Sequence, residues 1–300
     1  IVLRDMNPSI RARLEKDLPP LVPGLSLSGG SDGPADFVVD CKTSMPASVW
    51  SCEVLAHEGD DRLLGIQASP ENMAVQLAGV IRKLQVMHAM QALGEEDTNL
   101  RLDVRLAAAE QTAVRYRGIN ISRLDAPARV QFYRPGAIRT PNNSLQIEVR
   151  SSHDCYLSIA YLDSGGGFQV IFPDAGQADD FSPGGLIQGG MTTRIPDALS
   201  RDNLAGFYWD FGPPAGEDTV YAFCMTGQEQ ASRLRERIRD LGKLSGVAVN
   251  DALLDISSEL TAARPGTVTR GIRTSMRSED ETDSQPGGWG MAYLRLQVTE

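Results

Sequence analysis

"SSHDCYLSIAYLDSGGGFQVIFPD", residues 151–174, decides how the larger part of this chain folds. His153, Asp154 and Cys155 stand side by side, the residue types of a nucleophile with its base and an orienting acid. Yet "CYLSIAYL" is a strand-like apolar run, "DSGGGF" is turn chemistry, and a second apolar run follows. On a strand the side chains alternate, so His153 and Cys155 share a face and Asp154 points away. Cβ atoms two residues apart lie about 7 Å from each other. That distance leaves a thiol–imidazole contact open but removes the acid that would orient the imidazole. Leu157, Ile159 and Tyr161 continue the face of Cys155 as plain core, and a thiol in such a run is a small buried hydrophobe. The stretch reads as a β-hairpin, with Cys155 buried and inert.

On either side of it the texture is the same. Strand-like runs at 129–134, 145–150, 155–162, 168–172, 190–195, 205–211 and 218–225 are separated by Gly, Pro and Asn clusters. Leu145, Ile147 and Val149 alternate inward, and "TVYAFCM" (219–225) is apolar on both faces, as a central strand is. Short strands at this spacing predict a β-sandwich. Two helices follow, "EQASRLRERIRDLG" (229–242) with Leu234, Ile238 and Leu241 on one face, and "NDALLDISSEL" (250–260). The acidic "SEDETDSQPGG" (278–288) reads as a loop, and "MAYLRLQVTE" (291–300) as a closing strand.

The first 125 residues differ. A short amphipathic piece, "PSIRARLEKDL" (8–18), precedes "ADFVVDC" (35–41), "SVWSCEVLAHEG" (48–59) and "RLLGIQAS" (62–69), which read as strands. A long helix follows. Ser69 can cap it, Pro70 suits its first turn and Gly94 can end it. Met73, Leu77, Val80, Ile81, Leu84 and Met87 form its apolar stripe. "NLRLDVRLA" (99–107) then alternates as a half-buried strand. The expected architecture is α+β. A small α/β module spans 1–125, "RLDAPARVQ" (123–131) links it onward, and a β-sandwich domain with a helical appendage and closing strand spans 128–300.

Within the first module, "FVVDC" and "VWSCEVL" can pair as a hairpin around "MPAS", in a register where paired residue numbers sum to 93. Cys41 then faces Cys52, Lys42 faces Ser51 and Thr43 faces Trp50. Directly opposed Cβ atoms lie about 4.5–5.5 Å apart, somewhat beyond the ~3.5–4.5 Å of a relaxed disulfide. A bridge there needs slight strain and an oxidising compartment. Two neighbouring core thiols, or another register, remain alternatives, because Pro-Ala is a poor two-residue hairpin turn.

Composition narrows the function classes. The chain has 300 residues, 41% of them hydrophobic and 23% charged, and a formal net charge of -10. An acidic surface attracts neither nucleic acid nor anionic membrane. No run approaches the ~20 apolar residues of a membrane span. The opening "IVLRDMNPSI" lacks an initiator Met and a signal-peptide pattern, as a fragment or processed product would. The four cysteines, at 41, 52, 155 and 224, have no CxxC spacing, which removes a zinc knuckle and leaves the compartment open. His57 lies in a turn, and His88 sits one turn after Leu84 on the helix stripe. Neither has ligand spacing. Asp174, Asp179 and Asp180 lack the EF-hand pattern and read as an exposed acidic loop. "DSGGGF" and "SPGGLIQGG" stand in strand–turn contexts, not in the strand–loop–helix of a phosphate cradle. The residues build no active site: no catalytic, cofactor-binding or metal-ligating set is expected.

One segment carries a family likeness. "NSLQIEVRSSHDCYLSIAYLDSGGGFQVIFPD", "GGLIQGGMTTRIPD" and "FGPPAGEDTVYAFCMTG", within Val130–Thr226, follow one another as a loose but ordered set of motifs. In that order they resemble a bacterial domain of unknown function that often lies C-terminal to caspase-like (metacaspase or orthocaspase) cysteine peptidases. More weakly, "ADFVVDC" and the capped helix resemble the module that often precedes that domain. The resemblance implies that Asp154–Cys155 opens a β-strand and is not the catalytic thiol. The peptidase core's His-Gly and D-x-C-x-G-like motifs do not occur in the sequence. Together these imply a non-catalytic binding or regulatory region with a protein partner, either a peptidase core or its substrate or regulator. Its loops "GQADDFSPGG" (176–185) and "DFGPPAGED" (210–218), with Tyr208 and Trp209, would be the presented surface. The alternative is a stand-alone Cys–His hydrolase using Cys155.

Overall fold

The computed structural model describes residues 1–4, 6–22, 25–27, 37–44, 49–56, 62–94, 100–107, 127–173, 181–243, 251–252, 255–256 and 288–300. It is a mixed α/β chain whose described residues form three α-helices of ten residues or more and many strands in several sheets. Two compact units divide it, Ile1–Met87 with Lys243–Ala252, and His88–Gly242 with Leu253–Glu300.

In the first unit the strands β1 (Val2–Arg4), β2 (Phe37–Ser44), β3 (Val49–Ala56) and β4 (Arg62–Ala68) lie in chain order in one sheet. β1 runs parallel to β2; the other neighbours are antiparallel. Helix α1 (Pro8–Asp17) starts where its sequence says it should, with Pro8 in the first turn and the Asn7 side chain accepting from the Ser9 N–H at 2.9 Å. It buries Ile10 and Leu14. Helix α2 (Met73–Gly94) ends at Gly94. Its start differs from the expectation, because the Ser69 carbonyl accepts from Asn72 and Met73, so a turn over 70–72 precedes the helix proper. Met73, Leu77 and Ile81 join Leu3, Val39 and Val54 in one core.

The hairpin register is the one the residue sum gives. Cys41 faces Cys52, Lys42 faces Ser51 and Thr43 faces Trp50. The two sulfurs are bonded, with Cα atoms 4.1 Å apart, and both cysteines are buried. Alternation on both strands puts the thiols on the core face, and that face decides the register where the turn does not.

The second unit is β-rich. Its larger sheet has the order β10 (Phe168–Phe172), β9 (Cys155–Leu162), β14 (Gly216–Met225), β15 (Trp289–Thr299), β6 (Ala128–Gln131), with β11 (Leu186–Ile187) also on β9. A smaller sheet runs β12 (Thr192–Ile195), β8 (Ile147–Ser151), β5 (Leu102–Leu106), and β7 (Ser144–Leu145) pairs with β13 (Trp209–Asp210). Val104, Ile147 and Val149 from the smaller sheet share one core cluster with Leu157, Ile159, Val220 and Leu296 from the larger. Helix α3 (Gln228–Lys243) buries Ala231, Leu234, Ile238 and Leu241. Its Arg235 donates to Ser158 Oγ and to the Gly184 carbonyl, which places the helix over the face of β9 opposite Leu157. Of the helix expected at 250–260 only 251–252 and 255–256 are described, as helical; the acidic stretch 278–287 lies outside the described residues.

The opening hairpin is as expected, strands at 155–162 and 168–172 joined by a glycine turn. Asp163 Oδ1 closes that turn by accepting from the Gly165 and Gly167 N–H groups, both at 2.8 Å. A side chain at Gly167 would come within 2.4 Å of Asp163 Oδ2, so the carboxylate that closes the turn would have to move. "TVYAFCM" is central as its apolar run implies, with β9 on one side and β15 on the other.

One strand sits elsewhere than the sequence grouping put it. Residues 102–106, read with the first module, pair with β8, and Leu102, Val104 and Leu106 enter the core of the β-rich unit. Alternation reveals that a strand is half-buried; it does not say which sheet buries it.

Candidate binding cleft

A cleft of about 460 Å³ opens in the β-rich unit. Its lining comes from three places: the hairpin β9–β10, Leu145 at the end of β7, and the run from Tyr208 through Pro214 with Asp218. The loop leading to Tyr208 is held from within. The Asp197 carboxylate accepts from the Leu204 and Ala205 N–H groups at 3.0 and 2.9 Å. Asn203 Nδ2 donates to the Phe207 carbonyl, and Tyr208 O–H donates to the Ser200 carbonyl at 2.6 Å. Phe207 and Trp209 rings pack with centroids 4.9 Å apart.

β13 pairs with β7 so that Trp209 faces Leu145 and Asp210 faces Ser144. Asp210 is then gripped from two sides. Ser144 Oγ donates to its Oδ1 at 2.7 Å. Arg139 donates Nε to Oδ1 at 2.9 Å and Nη2 to Oδ2 at 2.8 Å, a two-pronged contact. The same guanidinium lies over the Tyr208 ring at 4.1 Å and the Tyr133 ring at 4.6 Å from their centroids. Burial alone would raise the Asp210 carboxyl, but the hydrogen bonds from Arg139 and Ser144 outweigh it and hold the group below its ordinary range. Arg139 is raised in turn, chiefly by its hydrogen bond to Asp210. One arginine therefore fixes a cleft-wall carboxylate and a cleft-wall ring together.

Deeper in, Tyr161 O–H donates to Asp218 Oδ2. Asp218 is buried at 4% exposure. Burial first, and then the negative charge of Asp218, hold the Tyr161 phenol well above its ordinary value, so it stays protonated as a donor.

The residues that raised a catalytic question do not assemble. Cys155 is fully buried and bonded to Cys224, Cα atoms 5.5 Å apart. The reading of Cys155 as an inert buried thiol is thus corrected: it is buried, as half of a disulfide. The pairing follows from sheet order, since β14 lies beside β9 with Cys224 opposite Leu157, one diagonal step from Cys155 on the same inner face. His153 is exposed, with Nδ1 3.0 Å from Ser152 Oγ. Asp154 Oδ1 accepts from the Gly189 N–H at 2.7 Å. His57 and the aspartates 174, 179 and 180 lie outside the described residues, as does the side chain of His88 on α2. Among the described residues no group of three or more His, Cys, Asp or Glu side chains is placed to hold a metal ion.

Of the two loops singled out as a presented surface, 210–214 and 218 line the cleft beside Tyr208 and Trp209; the other is described only from Phe181 onward. Sequence reasoning missed Arg139, Tyr161 and Asp163. Tyr161 carried a signal, because it alternates with Leu157 and Ile159 and reaches the end of the strand where a polar tip can find a partner. Arg139 carried none, being an arginine in a turn-rich loop.

Residues 140–227 match the family described as a domain of unknown function, DUF4384, which takes in the cleft-building run from Arg139's neighbours to Asp218. No curated protein and no solved structure matches the chain. Among the described residues no helix is long and apolar enough to cross a membrane.

Proposed function

We propose that this chain is a non-catalytic binding and regulatory region whose β-rich unit, a sandwich in architecture, offers the cleft at Tyr208 and Trp209 to a protein partner. The observation that carries this reading is the bracing of the cleft wall. Arg139 ties the Tyr208 ring to Asp210, and Asp197 ties down the loop before it, so the aromatic surface is held in place before any partner arrives. Preorganised aromatic walls around a concavity of several hundred Å³ are what binding sites use. The motif order within 140–227, similar to domains that accompany caspase-like peptidases, suggests the setting: this region docks on such a peptidase core or recruits its substrate or regulator. A Cys–His hydrolase at Cys155 has against it that the mechanism needs a thiolate, and this sulfur is bonded to Cys224.

The three tryptophans make a direct test. Trp209 lines the cleft while Trp50 and Trp289 are buried elsewhere. In the whole chain carrying 5-fluorotryptophan, a pool of short peptides should shift the fluorine resonance of Trp209 and leave the other two in place. A varied pool that leaves Trp209 unmoved sinks the reading.

A further inference from the structure

Resting on the reading of the cleft as a site for a protein partner, we infer that its occupant is a proline-rich segment of that partner in the polyproline II conformation. The selection comes from which polar groups of the wall are already engaged. Tyr208 gives its hydroxyl to the Ser200 carbonyl, and Tyr161 gives its own to the buried Asp218. Asp210 is taken up by Ser144 and by the fork of Arg139. Asp163 commits Oδ1 to the Gly165 and Gly167 N–H groups. Both tyrosines therefore meet a ligand as rings and not as donors. Left over are the Trp209 indole N–H and the exposed Gln169 amide, neither with a partner among the described residues, and Asp163 Oδ2.

A proline-rich chain suits such a wall. Its rings pack on aromatic side chains, and its conformation is set before binding, so little ordering is lost on a wall that is itself braced. At each proline the backbone has no N–H to give, and the conformation leaves the carbonyls free of internal hydrogen bonds. Trp209 and Gln169 supply donors for those carbonyls, and the N–H of a residue between prolines answers Asp163 Oδ2. An oligosaccharide would also lie on aromatic rings, but every sugar brings several hydroxyls that need partners once buried. Three free side-chain groups are too few for them.

The surroundings suit a chain that outruns its pocket. Ile138 and Leu204, at 84% and 74%, are the most exposed large apolar side chains among the described residues. Ile138 adjoins Arg139, Leu204 stands in the loop leading to Tyr208, and Arg139 lies over the Tyr208 ring. Each is held by its backbone: Asn143 Nδ2 donates to the Ile138 carbonyl, and Asp197 accepts from the Leu204 N–H. They carry apolar surface beyond the cleft of about 460 Å³.

The test titrates matched ligands into the fluorotryptophan-labelled whole chain. They are acetyl-Pro-Pro-Ala-Pro-Pro-Ala-Lys-amide, its all-D mirror image, an analogue with alanine for every proline, and the oligosaccharides maltohexaose and chitohexaose. The L-proline peptide should shift the Trp209 resonance saturably and bind at least tenfold more tightly than its mirror image or the alanine analogue. Neither sugar should move it. By calorimetry, Trp209→Phe, which keeps a ring and removes the donor, should weaken the L-proline peptide about tenfold. Unchanged Trp50 and Trp289 signals would certify that this variant is folded, and an unchanged affinity in it overturns the inference. Equal binding of the L-proline peptide and either peptide control overturns it as well, while leaving the cleft a binding site. So does a shift with varied peptides but not with the proline-rich one. A sugar that moves Trp209 where no peptide does overturns both the inference and the protein partner. If nothing moves Trp209, both fall together.

Discussion

In the first unit Cys41 and Cys52 stand directly opposite each other on two strands of one hairpin, 11 residues apart in the chain. In the β-rich unit Cys155 and Cys224 are also on neighbouring strands, but 69 residues separate them. Both bonds join neighbouring strands, the first between opposed residues and the second on a diagonal, and they serve different ends. The first bond closes a loop that the hairpin already closes, in a sheet whose strands lie in chain order. The second joins strands that only the whole topology brings together, in a sheet where β14 pairs with β9 and β15. The first unit's sheet joins strands that follow one another in the chain. The second depends on pairings between distant parts of the chain, and its stability should be lost in larger steps.

The largest step should come from β5. A chain beginning at residue 128 discards this strand, whose Leu102, Val104 and Leu106 are buried among Ile147, Val149 and their neighbours. At about 1.5–3 kcal/mol for each buried side chain of this kind, the loss is on the order of 5 kcal/mol. In a urea melt, a chain beginning at His88 should unfold cooperatively, and one beginning at residue 128 should be molten or aggregated. Equal cooperativity of the two would show that β5 is dispensable and blur the contrast between the units.

Next come the cysteine pairs. In the chain-entropy account a bond closing 69 residues stabilises by about 4 kcal/mol and one closing 11 by about 3 kcal/mol. Replacing Cys155 and Cys224 together by alanine should therefore lower the denaturant midpoint of the β-rich unit by more than the Cys41/Cys52 double replacement lowers that of the first. An inverted order would mean that unfolded-state structure, not loop length, sets the scale. Intact mass before and after reduction should differ by the four hydrogens of two bonds, since all four cysteines are paired.

The smallest effect concerns Glu148, which bridges all three strands of the smaller sheet. It stands opposite Arg194 on one side and Arg105 on the other, and accepts from each at 2.6 Å. The hydrogen bond from Arg194, with that from Arg105, holds its carboxyl below the usual range. A carboxyl lowered in the folded state contributes stability above its unfolded pKa and loses it as pH falls through the folded one. Both arginines are half exposed, so the contribution is at most about 1 kcal/mol. Glu148→Gln should lower stability by that amount near neutrality, and the difference from the parent should vanish in acid. A gap that persists at low pH would point to packing and not to charge.

What could be read from the residues divides along the same line. The hairpin 155–172, the Cys41–Cys52 register and the central position of 219–225 were all legible, because each is written in a local alternation or a local turn. The Cys155–Cys224 bond was not, since it depends on β14 lying beside β9, and no pattern inside either strand names its neighbour. β5 went to the wrong neighbours for the same reason. In the cleft, the loop with Tyr208, Trp209 and the Pro-Pro pair announced itself through turn chemistry with aromatics beside it. Arg139, which holds that wall in place, looks in sequence like any surface arginine, and only the fork onto Asp210 gives it a role.

The place of β15 has a consequence for how the molecule is made. This strand, Trp289–Thr299, lies between β14 and β6, so β14 has a partner on one side only until those residues have been synthesised. During translation the nascent chain therefore carries "VYAFCM" as an open edge, uncharged, rich in strand-forming residues and apolar on both faces. Such an edge invites pairing with any other chain that shows one. Some 60 residues, 226–288, pass between the two strands, and for that interval the edge of β14 stays open to such pairing. Its completion by the late-arriving strand is what makes the finished sheet safe.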